Sequence, residues 1–129
     1  MVLVVDIGNS NTVFGMYHKD KMLFTARIQT DSLKTESEYA VLLQNILSLH
    51  QISAQSLKGA IISSVVPPLS PVMKLAIRLI RDIPVLSVGP GLKTGLDIKI
   101  DNPGQTGADL VCTAVGALEK YPLPVIIID

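Results

Sequence analysis

Tryptophan is missing from this chain, cysteine occurs once, and only 4% of residues are aromatic. With Cys112 as the sole cysteine, an internal disulfide is impossible and a reducing cytosol is the natural setting. Cys112 itself reads as a small buried hydrophobe. Net charge is also missing, because 11 basic residues balance 11 acidic ones. Without a basic excess or a Lys/Arg cluster, nucleic acid is not an expected partner. No apolar run approaches the ~20 residues of a membrane span. The N-terminus has no basic n-region and Asp6 breaks its apolar stretch, so neither a signal peptide nor a membrane partner is expected. These exclusions point to a cytoplasmic protein. Two nucleotide-binding signatures are absent as well: there is neither a Walker A loop nor a G-x-G-x-x-G fingerprint.

What remains is 129 residues, 48% apolar, with a positive mean hydropathy of +0.45. That is enough for one domain with a real core. Val2 to Val5 reads as a buried strand. Asn11 to Tyr17 and Met22 to Thr30 read as two more, joined by the polar turn His18-Lys19-Asp20-Lys21. Thr35 and Glu38 have capping-box spacing, and Tyr39, Leu42, Leu43, Ile46 and His50 then recur at helical period. His50 and His18 read as surface residues. A buried strand follows between Lys58 and Val66, ended by Pro67 and Pro68. Ser70 is the expected cap of a second helix with Pro71 at its first position. Its expected core stripe is Val72, Leu75, Ala76, Leu79, Ile80 and Ile83. Pro84 to Val88 is a short strand. A Gly-rich, polar stretch from 92 to 107 precedes a third helix, about Gly107 to Lys120. Ala108, Val111, Cys112, Val115 and Leu118 are its expected core face. Val125 to Ile128 reads as a last strand. The order β-β-β-α-β-α-β-α-β predicts an α/β fold: a mixed sheet with a leading antiparallel meander and flanking helices.

Two constellations offer chemistry. In Asp6-Ile7-Gly8-Asn9-Ser10-Asn11-Thr12 a strand delivers a carboxylate to a small polar turn. Gly8 lets a ligand approach the backbone, and Asn9, Ser10, Asn11 and Thr12 bring donors for phosphate oxygens. Asp6 is a hard oxygen ligand suited to Mg²⁺. An ordinary hairpin explains the same residues equally well. The second constellation runs from Asp101 to Asp109. Gly107 and Ala108 keep the backbone open before a helix, and Asp109 sits in its first turn. There it either complements the macrodipole or faces a cleft as a general base toward a hydroxyl. Ser63 and Ser64 read as satisfied strand-end hydroxyls.

Taken together, Asp6 to Thr12, Ser64-Val-Val-Pro67, Asp101-Asn-Pro103, Gly107-Ala-Asp109 and Ile126-Ile-Ile-Asp129 resemble type III pantothenate kinase in order and spacing. The resemblance implies an RNase H-like domain of the actin-like ATPase superfamily. It implies transfer of the ATP γ-phosphoryl group to the pantothenate hydroxyl, at the start of coenzyme A synthesis. Mg²⁺, a monovalent cation (K⁺ or NH₄⁺) and a homodimer belong to the same expectation. Position by position, Asp6, Ile7, Gly8, Asn9, Ser10, Asn11, Thr12 and Val13 match the ATP phosphate segment. Ile100, Gly107, Ala108, Asp109 and Leu110 match the pantothenate-binding positions, and Asp109 matches the base. Asp129 matches an acid that helps hold the monovalent cation. Two positions depart from the family pattern: Leu110 stands where many members have Arg, and Ile100 where many have Tyr.

The resemblance further implies two RNase H-like halves, of which residues 1–121 would be the first and 122–129 the opening strand of the second. The alternatives are a kinase for another small hydroxy acid and a non-catalytic accessory protein on the same fold. On the two-half reading this chain alone shows little or no phosphoryl transfer. An ATP and pantothenate turnover assay on these 129 residues checks it, and robust turnover would refute it.

Overall fold

Alternation of apolar residues along the strands assigns one face of a sheet to the core and leaves the other for polar groups. The computed structural model describes residues 1–89, 92–99, 102 and 106–128. Strands β1 (Val2–Ile7), β2 (Asn11–His18) and β3 (Lys21–Gln29) form the expected antiparallel meander. Helix α1 (Glu36–Leu49) leads to β4 (Gly59–Ser64). Helix α2 (Leu69–Ile80) then leads to β5 (Val85–Ser87). Both β4 and β5 pair in parallel, giving a five-stranded mixed sheet in the order β3-β2-β1-β4-β5. Helix α3 (Ala108–Lys120) closes the described elements. This is the architecture expected of an RNase H-like domain. No helix among the described residues is long and apolar enough to cross a membrane.

Leu3, Val5 and Ile7 are fully buried on one face of β1, beside Phe14 and Met16 of β2 and Ile62 of β4. Tyr39, Leu43, Ile46 and Leu47 of α1 and Leu69, Met73, Ala76 and Ile77 of α2 complete this core. The opposite face carries the alternate residues Asp6, Val13, Arg27 and Ser63.

The α1 N-terminus is built as the spacing predicts. The Thr35 hydroxyl accepts the Glu38 N–H (3.3 Å), and Glu38 Oε2 accepts the Thr35 N–H (2.8 Å). Tyr39 in this first turn binds the end of β3 twice: its hydroxyl donates to the Asp31 carbonyl (2.8 Å) and accepts the Asp31 N–H (3.1 Å).

Several details differ from the sequence reading. β1 continues through Asp6 to Ile7, so Asp6 is paired within the sheet rather than standing beyond it. Helix α2 begins at Leu69, without a side-chain cap from Ser70. Its Leu75 and Leu79 are exposed, while Met73 and Ile77 are buried. The helix is apolar around much of its circumference, so period alone could not choose the arc that meets the sheet. Helix α3 has the expected bounds but no buried residue, and Cys112 is exposed rather than buried. β4 is its principal neighbour, and no further layer covers its outer side among the described residues. Val125 to Ile128 forms no strand, and Ile126 and Ile128 lie in solvent. A strand needs a hydrogen-bonded neighbour, and none is present among the described residues. His50 is exposed as expected, yet its ring stacks on Phe24 with centroids 4.1 Å apart.

The capping box also sets an acid limit. The Thr35 N–H, and then its hydroxyl, hold the Glu38 carboxyl below its ordinary value of 4.5. A carboxyl with a lowered folded pKa contributes stability above its unfolded value and loses it as pH falls through the folded one. Thermal melts in the acid range should therefore show Glu38→Gln, which keeps the capping acceptor, losing less stability on acidification than the wild type. Parallel losses in the two proteins would exclude Glu38 as a contributor.

Candidate functional site

The turn after β1 is a two-residue hairpin with Asn9 and Ser10 at its exposed tip. The Gly8 N–H donates to the Asn11 carbonyl at 2.9 Å. Among the described residues only Lys19, Gln51 and Gly95 have positive φ, so Asn9 and Ser10 take ordinary negative values. Such unprimed turns match strand twist poorly, and a two-residue hairpin built on one needs outside support. Thr30 supplies that support. Its N–H donates to the Ser10 carbonyl (2.9 Å) and its hydroxyl to the Gly8 carbonyl (2.8 Å). Since that hydroxyl has one proton, the Thr12 hydroxyl must be the donor in the 2.9 Å Thr12–Thr30 contact. Thr12 is fully buried. Its hydroxyl is thus committed inward, to Thr30, rather than outward to a ligand. A Cβ at Gly8 would stand 3.1 Å from the Asn11 carbonyl oxygen, so a larger residue would strain the turn.

Asp6 lies two pairs back from this turn, beyond Ile7–Thr12. It faces Val13 on β2 and Ser63 on β4, and Val13 faces Arg27 on β3. Directly paired residues share a face, so Arg27, Val13, Asp6 and Ser63 form a row across four strands. Ser63 is buried, and its hydroxyl lacks a partner of hydrogen-bond geometry among the described residues. Helix α3 brings Cys112 to the Ser63 end of the row. Although the residue is exposed, partial desolvation beside β4 pushes the Cys112 thiol up, the neighbouring Ser63 hydroxyl pulls it down, and the Asp6 and Asp109 carboxylates add a smaller upward push.

Asp109 sits in the first turn of α3. Its Oδ1 accepts the Leu110 N–H at 2.8 Å, and the carboxyl curls back over Gly107, where a Cβ would collide with it. Gly107 is the N-cap position, and Leu110 is exposed. Beside Gly107 and Ala108 opens a cavity of about 710 Å³, walled by Ser64 at the end of β4, Val65 after it, Val88 after β5, Leu92, Ile98 and Val111. None of its described wall residues is charged. Thr106 Oγ1 faces the cavity wall without a hydrogen-bond partner among the described residues.

The two constellations thus meet at the β1 and β4 ends and the start of α3. Asp6 is exposed at the sheet end, and Asn9, Ser10 and Asn11 are exposed in the turn that follows, a set of oxygen and amide groups of the kind that suits a magnesium–phosphate group. Ile100, Asp101, Pro103 and Asp129 lie outside the described residues. No cluster of three or more His, Cys, Asp or Glu able to hold a metal occurs among the described residues. Sequence reasoning missed Thr30 and Arg27. Thr30 lies 22 residues from the carbonyl it binds, so no local spacing marks it. Arg27 becomes visible only once β2–β3 register is known.

Replacing Thr30 by Val should destabilise the fold by about 1–3 kcal/mol, because the buried Thr12 hydroxyl loses its acceptor and Gly8 its donor. Thr30→Ser should remain near wild type. Urea unfolding measures both, and a Val variant as stable as the wild type would remove the clamp.

Comparison with known proteins gives a consistent result. The type III pantothenate kinase family model matches residues 2–129. A type III pantothenate kinase of an Exiguobacterium species is 43% identical over 130 residues, covering 100% of this chain and 51% of the relative. Those of Exiguobacterium sibiricum and Listeria monocytogenes serotype 4a are 41% and 42% identical, again over 100% of this chain and 51% and 50% of the relatives. The chain spans about half the length of the curated relatives it matches. By the match over nearly its whole length, and by the sheet and turns that carry it, this chain belongs to the type III pantothenate kinase family.

Proposed function

We propose that this chain supplies the phosphate-binding and acceptor-activating half of an ATP-dependent pantothenate kinase, at the first step of coenzyme A synthesis. The observation that carries the reading is that the start of α3, which bears Asp109, shares a cavity with the end of β4, whose Ser63 pairs with Asp6 next to the clamped turn. Asp6 to Val13 bind the ATP phosphates. Gly8 leaves the backbone approachable, Asn9, Ser10 and Asn11 offer donors, and Thr12 acts from within by fixing Thr30. Mg²⁺, held by Asp6 directly or through water, neutralises phosphate charge when bound.

The cavity, uncharged along its described wall, receives the acceptor, with Gly107, Ala108 and Leu110 along its approach and Ile100 assigned to it by family position. Asp109 takes the proton of the acceptor hydroxyl as its oxygen attacks the γ-phosphorus and ADP leaves. Phosphoryl transfer of this kind depends on positioning and charge neutralisation more than on covalent help. Asp129 is assigned to a monovalent cation, K⁺ or NH₄⁺. Residues 1–121 act as one RNase H-like half, with 122–129 leading out of it. A homodimer in the cytoplasm completes the reading.

A second reading is a kinase for a different small hydroxy acid. It is favoured by Leu110 and Ile100, which stand where many family members have Arg and Tyr.

In a protein of the relatives' full length that carries this segment, Asp109→Asn should lower kcat by roughly 10²–10⁴-fold while MgATP binding is retained. Steady-state kinetics with pantothenate and calorimetry with MgATP measure the two quantities. Turnover that survives the substitution would remove Asp109 as the base.

A further inference from the structure

A nucleotide's phosphate chain is strongly anionic, yet the turn offered to it contains no cation: residues 7–13 are Ile, Gly, Asn, Ser, Asn, Thr and Val. Asp6 beside it adds a further negative charge. On the three-stranded meander, Lys19 and Lys21 sit at the opposite hairpin. Arg27 does not. It pairs with Val13, which pairs with Asp6, so its side chain leaves the sheet on the same face as the Asp6 carboxylate. Two strand spacings separate the backbones at those positions, roughly 9–10 Å. Only Val13 stands between them, and a long guanidinium stem can lie across it.

The next outward pair toward the turn is Asn11 and Gln29, so Arg27 lies one step inside a polar rim. Its residue is exposed, and it forms no ion pair among the described residues. Lys34, the nearest cation along the chain toward α1, is already bound by Asp31 at 2.8 Å. A planar guanidinium is also the side chain best matched to phosphate oxygens, because it presents several donors in a fixed fork.

We propose that Arg27 is a phosphate-binding residue, donating to non-bridging oxygens of the nucleotide's phosphate chain as that chain lies along the Asp6–Val13 turn. The proposal rests on the assignment of that turn to ATP phosphates. It adds the cation that the turn lacks, and brings it from an edge strand. The competing explanation is that Arg27 merely guards this edge strand against pairing with other chains, a common use of charge at sheet edges. A guard would influence self-association and leave phosphate affinity untouched.

Calorimetry on a protein of the relatives' full length that carries this segment, with MgATP and with inorganic triphosphate at low and high salt, separates the two. Arg27→Gln should weaken both ligands about tenfold and flatten the salt dependence of binding, and Arg27→Lys should recover part of the affinity. The site is exposed, so circular dichroism should show both variants folded. Wild-type affinity in Arg27→Gln, with binding otherwise intact, would overturn the role of Arg27 alone. Failure of that unsubstituted full-length protein to bind either ligand would overturn the phosphate-turn reading, and Arg27's role with it.

Discussion

The hydrogen bonds of Thr30 are the constraint on which the site depends. One residue at the end of β3 holds the Ser10 carbonyl through its N–H and the Gly8 carbonyl through its hydroxyl, while that hydroxyl accepts from buried Thr12. Its neighbour Asp31 is bound in turn by the Tyr39 hydroxyl, inside the first turn of α1. The turn is thereby tied to the core helix through two consecutive residues. A two-residue hairpin with negative φ at both tip positions would otherwise splay its strands. Here its shape is imposed by tertiary contacts from Thr30, just past the end of the edge strand β3.

Period-two alternation lets the same strands serve two purposes. Leu3, Val5 and Ile7 anchor β1 in the core, and Asp6 between them faces the other way. A slip of one residue in the β1–β2 register would exchange the two sets, placing the carboxylate in the core and Ile7 at the site. Burial of the odd-numbered residues therefore fixes where Asp6 points. The same logic aligns Arg27 and Ser63 with it across β3 and β4.

Most of the architecture was legible in the sequence because it rests on local rules. The meander followed from alternation and turn residues, and α1 from the Thr35–Glu38 capping box. The family followed from motifs whose order spans the chain. The errors share a physical origin. Leu75 and Leu79 of α2, Cys112 of α3 and Ile126 in the terminal stretch are apolar or small residues that periodicity assigns inward, whereas burial depends on what is packed opposite. Ser63 was read as a satisfied strand-end hydroxyl, yet it is buried without a partner among the described residues. Thr30 and Arg27 escaped notice because each acts across strands, at separations that only the register reveals.

The clamped turn also has an electrostatic meaning. The carbonyl oxygens of Gly8, Ser10 and Asn11 each accept a donor from within the protein. These oxygens are the negative ends of the peptide dipoles, and in an unsupported loop they would remain free to turn toward an approaching ligand. With all three occupied, the loop has fewer acceptors to present to a cationic or donor-rich molecule and a smaller repulsive field toward an anion. Selection for negatively charged ligands can thus come from the acceptors a loop has lost, before any positive charge is added to it.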